Sequence, residues 1–493
     1  MSRISVNDLT FYYDGSYDMI FDHVSFEIDT DWKLGFIGRN GRGKTTFLNL
    51  LLGKYEYRGN IQSSVTFDYF PFVIEEKKKQ ENTIDVIEMI YPEYELWKIC
   101  RELTILKTDA DILYRPFCTL SNGEQTKVML AMLFSKDHNF LLIDEPTNHL
   151  DMTARDSVRE YLKQKKGFIL VSHDRVFLNE CIDHVLVINK TNIEVMNGNF
   201  DDWWMNKTRR DESEEVQNEK LKKEMKRLSE AAKRNEAWSD KVEKSKIGEH
   251  SADRGFIGAQ SARMMKRSKV IERRVAKAME EKAGLLKNVE TMDDLKIIPL
   301  RHYKEILVKA EDLSLYYGER QVFESLDFEV RNGECVALEG RNGCGKSSVL
   351  KKIVGDDIHT EGKLFSASGM IVSYVPQNTS FLKGSLNAFI EENHLNQSLM
   401  KTLLRKLDFE REQFEKRMEE FSEGQKKKVL IAKSLSEQAH LYVWDEPLNF
   451  IDVFSRMQIE QLIKEFKPTL LLVDHDDTFI QNVAQKRVRM TLD

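Results

Sequence analysis

Six short, largely apolar runs divide into two sets of three. Leu34–Ile37, Leu141–Ile143 and Phe168–Ser172 in the first half are answered by Cys335–Leu338, Tyr442–Trp444 and Leu470–Asp474 in the second. Runs of this length read as buried strands, and their repetition in order predicts two α/β domains of one design. Between the sets the period changes. Leu221, Met225, Leu228 and Ala232 step by four, three and four, and Ile271, Val275 and Ala278 by four and three, so two helices each carry a seam. Gly248, Gly255 and Gly258, with Ser251 and Asp253 nearby, mark a turn near 246–260. The pattern predicts a first domain over 1–204, an antiparallel helical hairpin over 205–303 and a second domain over 304–493. A first arm of ~40 residues at ~1.5 Å each spans ~60 Å, longer than a simple connection requires.

The segments at the ends of these strands supply the chemistry. Gly38-Arg39-Asn40-Gly41-Arg42-Gly43-Lys44-Thr45 returns as Gly340-Arg341-Asn342-Gly343-Cys344-Gly345-Lys346-Ser347, with Thr46 and Ser348 next in line. Both match GxxxxGK[ST] between a strand and a helical pattern, the context of a phosphate loop. Glycines let successive N–H groups converge on phosphate, the lysine reaches the outer phosphates, and the hydroxyl of Thr45 or Ser347 meets Mg²⁺. The next strands end in paired carboxylates, Asp144-Glu145 and Asp445-Glu446. This arrangement assigns Asp144 and Asp445 to the metal and Glu145 and Glu446 to general-base work on the attacking water. His173 and His475 close the third strand of each set, where they can contact the γ-phosphate and orient that water.

Composition narrows the class. The 493 residues are 41% hydrophobic and 31% charged with a net charge of −7, which excludes a uniformly basic nucleic-acid coat. Residues 205–305 differ, with 26 Lys and Arg against 19 Asp and Glu. A basic rod is therefore expected between acidic domains. The five scattered cysteines contain no CxxC, so no disulfide framework or zinc site is indicated. No apolar stretch approaches the ~20 residues needed to cross a bilayer, and the start lacks the apolar core of a signal peptide. A cytoplasmic, non-membrane protein is the expectation.

Two further strings carry a family resemblance. Leu120-Ser121-Asn122-Gly123-Glu124-Gln125 and Phe421-Ser422-Glu423-Gly424-Gln425 resemble the LSGGQ signature of ATP-binding cassette proteins, and Glu145–Asp151, EPTNHLD, is similar to the hallmark of the ABC-F subfamily. The resemblance implies two ABC-type P-loop NTPase domains that pair head to tail within one monomeric chain. Lys44 should then share an ATP with Ser422, Gly424 and Gln425 of the opposite signature, and Lys346 another with Ser121, Gly123 and Glu124. Tyr13 and Tyr317, at equivalent places before each phosphate loop, are candidates to stack on adenine, with core packing as the alternative. Gln377 supplies a metal-contacting Q-loop glutamine in the second cassette, whereas Phe72 stands at that place in the first. Phe421 for leucine and Asp474 for the serine at Ser172 add to the differences, so two unequal sites are expected.

The hairpin resembles the linkers of ABC-F antibiotic-resistance proteins directed against lincosamides, streptogramin A compounds and pleuromutilins. The resemblance implies binding to the 70S ribosome, with the linker in the tRNA exit site, P-site tRNA displaced, and the tip near the peptidyl-transferase centre of large-subunit rRNA. Lys244, Arg254, Phe256, Ile257, Arg263, Lys266, Arg267 and Lys269 are the expected RNA contacts: cations meet phosphates and an aromatic wedges against bases. A housekeeping ABC-F translation factor is the main alternative, and the ATPase of an exporter a more distant one. A chromosome-maintenance or DNA-repair ATPase lacks support, since neither a far longer coiled coil nor zinc cysteines are present.

Overall fold

The computed structural model describes residues 2–13, 19–137, 139–148, 150, 152–189, 192–244, 295–318, 320–341 and 343–490. The chain divides into two units, Met1–Asp201 together with Met292–Asp493, and Asp202–Thr291.

The first unit contains both α/β halves. In the first half a six-stranded sheet runs in the order Thr66–Phe70, Asn139–Asp144, Phe168–Val171, Lys33–Ile37, His184–Asn189, Asn192–Asn197. Its first five strands are parallel, and the last returns as an antiparallel hairpin. In the second half the parallel order is Val372–Val375, Leu441–Asp445, Leu470–Val473, Cys335–Glu339, Lys486–Arg489. Each half adds a three-stranded antiparallel sheet, centred on Arg3–Phe11 in one and Ile306–Tyr317 in the other. The uninterrupted apolar runs are explained by burial on both faces: Leu141, Leu142 and Ile143, like Leu470, Leu471 and Leu472, are almost wholly hidden. Burying each such side chain contributes about 1.5–3 kcal/mol. Phe36, Phe47, Leu48, Leu142 and Ile169 meet in one core, which packs the helix Lys44–Leu51 against the sheet and fixes the loop before it.

The expected α/β architecture with two tandem cassettes is thus the observed one. Chain order carries Lys33–Ile37, Asn139–Asp144 and Phe168–Val171 to neighbouring positions, so the phosphate loop, the paired acids and the histidine emerge at the same strand ends. Ligands of open α/β sheets bind at this edge.

The second unit begins within a helix, Phe200–Lys244, of 45 residues. At ~1.5 Å per residue it is ~67 Å long. It carries 12 Lys and Arg and 12 Asp and Glu; over its share of the inter-cassette segment, 205–244, the balance is 12 against 10, so most of that segment's positive excess lies beyond this helix. The expected tip and returning helix lie outside the described residues, as do Arg254, Phe256, Ile257, Arg263, Lys266, Arg267 and Lys269; of Lys244 only its helical place is described.

Candidate functional site

Each phosphate loop is drawn around its own lysine. Lys44 Nζ donates to the carbonyls of Gly38 at 2.7 Å and Arg39 at 3.2 Å and to Asn40 Oδ1 at 3.3 Å. Lys346 Nζ repeats this with Gly340 at 2.8 Å and Arg341 at 2.9 Å. Gly43 and Gly345 precede the helices with φ of 97° and 94°, in the left-handed region. A Cβ at Gly43 would lie 2.5 Å from Ile20, and one at Gly345 2.7 Å from Val322, so both conformation and space require glycine. Asn342 lies outside the described residues.

Beside each loop is a hydroxyl and carboxylate pair. Thr45 Oγ1 donates to Asp144 Oδ2 at 3.4 Å, and Ser347 Oγ to Asp445 Oδ1 at 3.1 Å. No group of three or more His, Cys, Asp or Glu side chains able to hold a metal occurs among the described residues. One carboxylate and one hydroxyl suit Mg²⁺, which takes the rest of its oxygen ligands from water and substrate phosphates. The residues therefore fit the ion the sequence implies.

The two glutamates differ in surroundings. His173 Nε2 lies 3.2 Å from Glu145 Oε1 and His475 Nε2 3.2 Å from Glu446 Oε1. Glu446 also accepts from Gln377 Nε2 at 2.8 Å and Asn449 Nδ2 at 2.6 Å. Burial raises its proton affinity, yet His475, Gln377 and the nearby Lys427 outweigh burial and hold Glu446 below the usual carboxylate value. Glu145 has no glutamine partner, because Phe72 stands at that place. Burial and the adjacent Asp144 push it up to about 8. Tyr69, three residues before Phe72, donates instead to Asp144 Oδ2 at 2.8 Å, while the equivalent Tyr374 hydroxyl is buried without a partner.

The signatures begin their helices with capping boxes. Ser121 Oγ accepts from Glu124 N and the Glu124 carboxylate accepts from Ser121 N; Ser422 and Gln425 repeat this reciprocity. Glu124 and Gln425, expected at the nucleotide, thus have a structural use within their own helices. The second signature reaches the first phosphate loop: Asn40 Nδ2 donates to Phe450 O at 3.0 Å, and a Cβ at Gly424 would lie 3.3 Å from Asn40 Nδ2. In the other direction, Asn122 of the first signature lines a cavity of about 800 Å³ with Tyr317, Gly343, Lys346, Ser347, Ser348, Gln377, Glu446 and His475. The first cavity, about 750 Å³, is lined by Tyr13, Asn40, Gly41, Lys44, Thr45, Thr46, Asp144, Glu145 and His173, and also by Asn122 and Gln125. Tyr13 and Tyr317 stand half-exposed at these cavities, with hydroxyls bonded to Thr46 at 2.7 Å and Ser348 at 3.2 Å.

Contacts that local motifs do not reveal close the interface. Arg39 pairs with Asp408, Arg175 pairs with Glu460, and Arg155 donates to the His475 carbonyl at 2.7 Å. Two of the motif departures are conservative in structure. Phe421 is buried against Phe409 as Leu120 is buried in its own half. Asp474 accepts from the N–H groups of His475 and Asp476, stapling the turn much as Ser172 does by accepting from Asp174 N.

Comparison with known proteins agrees with this geometry. The family model described as ABC transporter matches residues 21–148 and 323–449, together over half the chain. The chain is 25% identical to the ATP-binding protein Uup of Buchnera aphidicola subsp. Acyrthosiphon pisum, covering 99% of this chain and 80% of that protein. It is 26% identical to the ribosome protection protein VmlR of Bacillus subtilis, covering 95% and 83%. Among solved structures it is similar in fold to a chain from the complex of archaeal ribosomal stalk protein aP1 and archaeal ribosome recycling factor aABCE1, with a TM-score of 0.62, 18% identity and coverage of 99% and 88%.

Proposed function

Because the chain belongs to the ABC transporter family, with one cassette matched in each half, we propose that it is an ABC-F-type ATPase that acts on the ribosome and protects it from peptidyl-transferase-centre antibiotics. The cross-cassette arrangement carries the ATPase reading. Asn40 on the first phosphate loop is bonded beside Gly424 of the second signature, so ATP at Lys44 would lie between the cassettes and become part of their interface. ATP then favours closure and hydrolysis favours opening, since loss of the γ-phosphate removes contacts on both sides.

Lys44 and Lys346 hold the outer phosphates. Thr45 with Asp144, and Ser347 with Asp445 and Gln377, would hold Mg²⁺. When bound, the ion neutralises charge developing on the transferred phosphoryl group. At the second site Glu446, kept ionised by its donors, accepts the water proton while His475 orients the water. Glu145 and His173 serve the first site, where Glu145 must lose its proton before acting as base.

The ribosome reading is supported by similarity to a ribosome protection protein, by the 45-residue charged helix leaving the first cassette, and by the lack of any membrane-spanning helix among the described residues. Lys244, Arg254, Phe256, Ile257, Arg263, Lys266, Arg267 and Lys269 are the RNA contacts of this reading, and residues 205–303 are its effector.

The test is cosedimentation of a Glu145→Gln, Glu446→Gln double variant with 70S ribosomes. Trapping in ATP and release in ADP are expected; free protein in the supernatant under both conditions sinks the ribosome reading. Growth of a susceptible bacterium expressing the protein on lincomycin, tiamulin and virginiamycin M then separates drug protection from a housekeeping role, in which sensitivity is unchanged.

A further inference from the structure

The two ATP sites meet through two consecutive lysines of the second signature helix, Glu423–Ser436. Lys427 is 2% exposed, and its Nζ donates to the Pro376 carbonyl at 3.0 Å and the Asp445 carbonyl at 3.4 Å. These belong to the residue before Gln377 and to the metal-side aspartate of the second site. Lys428, 3% exposed, pairs at 2.9 Å with Asp452, which is fully buried. Asp452 acts electrostatically on Lys44 and His173 of the first site. The same helix presents Gly424 beside Asn40. One helix thus bonds to the second site through the Lys427 amine and, at its start, lies against the first phosphate loop through Gly424.

The first cassette differs at one of these two lysines, with Lys127 at the place of Lys428 but no lysine at the place of Lys427. Thr126 occupies the place of Lys427 and lines its own cavity. A threonine hydroxyl ends at Cγ-level reach, whereas a lysine amine stands on a four-carbon stem, so Thr126 cannot span the same gap. Burying an ammonium costs several kcal/mol unless it is paired or bonded. A lysine kept there needs the two carbonyls to stay where they are.

We propose that Lys427 is a positioning residue that couples the two ATP sites: it ties the Gln377 loop and the Asp445 strand of the second site to the helix whose start covers the first. Occupation of the second site, by fixing Gln377, then fixes Gly424 and Asp452 at the first. Coupling free energies are reciprocal, so filling the first site favours the second by the same factor. The inference rests on the two-site ATPase reading and is independent of ribosome action.

The experiment compares the KM for ATP at the first site in two backgrounds. Glu446→Gln leaves the second site able to bind ATP but not to turn it over, and Lys346→Ala disables binding there. With Lys427 present, the first-site KM is expected to be about tenfold lower in the Glu446→Gln chain than in the Lys346→Ala chain, within the usual range of such couplings. With Lys427→Met, which keeps the stem and removes the amine, the ratio should fall below about twofold. Lys427→Arg, which keeps the cation and its donors, should preserve most of it; this variant also serves if Lys427→Met fails to fold. A Lys427→Met chain that retains the tenfold ratio overturns the proposal, as does a parent pair that shows no ratio. A chain with no ATP turnover in any form refutes instead the ATPase reading beneath it.

Discussion

Replacing Gly424 by alanine tests the cross-cassette geometry most directly. A Cβ built there falls far inside the contact distance of the Phe450 carbonyl oxygen. That oxygen must retreat to the ~3.3 Å at which carbon meets carbonyl oxygen. Phe450 has little freedom to yield, since its φ of 63° already places a non-glycine residue in the left-handed region. The same oxygen accepts the 3.0 Å bond from Asn40 of the opposite cassette, so its retreat breaks an interface bond. The overpacking, about 1–3 kcal/mol, falls within the second cassette and burdens the open state as well, so closure itself loses the Asn40 bond, about 0.5–1.5 kcal/mol net. At ~1.4 kcal/mol per tenfold, closure should weaken by about two- to tenfold. Gly123→Ala is the internal control, because its Cβ would meet side chains of its own cassette, Ala154 at 3.1 Å and Leu150 at 3.9 Å, rather than an oxygen that accepts a bond from the other cassette. The assay is ATP-driven closure in the Glu145→Gln, Glu446→Gln background, followed by energy transfer between dyes on the two cassettes. The ATP concentration for half-closure should rise about two- to tenfold for Gly424→Ala and stay nearly unchanged for Gly123→Ala. Equal shifts would refute the reasoning.

Three further outcomes are expected. Arg456→Ala removes a buried guanidinium that donates to Asp476 at 2.9 Å and to the carbonyls of Ile451 and Leu448; leaving buried acid uncompensated costs about 3–5 kcal/mol, so calorimetry should show the cassette transition lowered by roughly 6–20 °C. Asp408→Ala and Arg39→Ala should each weaken closure, and the exchange Arg39→Asp with Asp408→Arg should recover most of it; a double-mutant cycle with coupling below ~0.5 kcal/mol would remove the pair from the account. Glu102 is fully buried; burial opposes its ionisation, but bonds from Lys165, Tyr161 and Arg101 outweigh burial and hold its pKa below the usual value. Its stabilisation is then complete above the unfolded value of about 4.3 and lost as pH falls through the lower folded value. Glu102→Gln should therefore lower the urea midpoint at pH 7, with the gap narrowing below pH ~4; a gap independent of pH would refute this.

The residues legible in the sequence share one property: short, fixed spacing along a single strand and loop. Lys44 and Thr45, Asp144 and Glu145, and His173 each lie within a few positions of the apolar run that carries them, so pattern alone placed them at strand ends. Arg39 and Asp408 are separated by 369 positions, and no local period connects them. Lys427 was hidden differently, within Lys426-Lys427-Lys428, a run that reads as a solvated face. Even Lys426 is mostly covered and pairs with Glu423 near the helix start; the helical turn directs the other two fully inward. Tyr69 gave a signal that was available, since it occupies the place of Tyr374 beside the missing glutamine, but only the fold shows its hydroxyl on Asp144.

The inequality of the two sites is therefore better located in charge and in the missing Q-loop glutamine than in the departures at Phe421 and Asp474. Phe421 and Asp474 replace Leu120 and Ser172 without altering the local structure they support. The first site instead lacks a glutamine at Glu145, and Arg39–Asp408 and Arg175–Glu460 both join first-cassette arginines to second-cassette acids. At the places equivalent to Arg39 and Asp408 stand Arg341 and Lys107, of like charge and both exposed. Ion pairing thus favours closure around Lys44, while the better-ordered general base sits beside Lys346. The Lys44 side is thus held by an ion pair from its own phosphate loop, whereas on the Lys346 side a cation, Arg155, meets the neutral His475 carbonyl, so that side depends more on nucleotide. Hydrolysis at the Lys346 site should accordingly contribute more to opening than hydrolysis at the Lys44 site: ATP should keep Glu446→Gln alone on ribosomes longer than Glu145→Gln alone. Equal retention in a dissociation time course would mean that the charge asymmetry has no bearing on release.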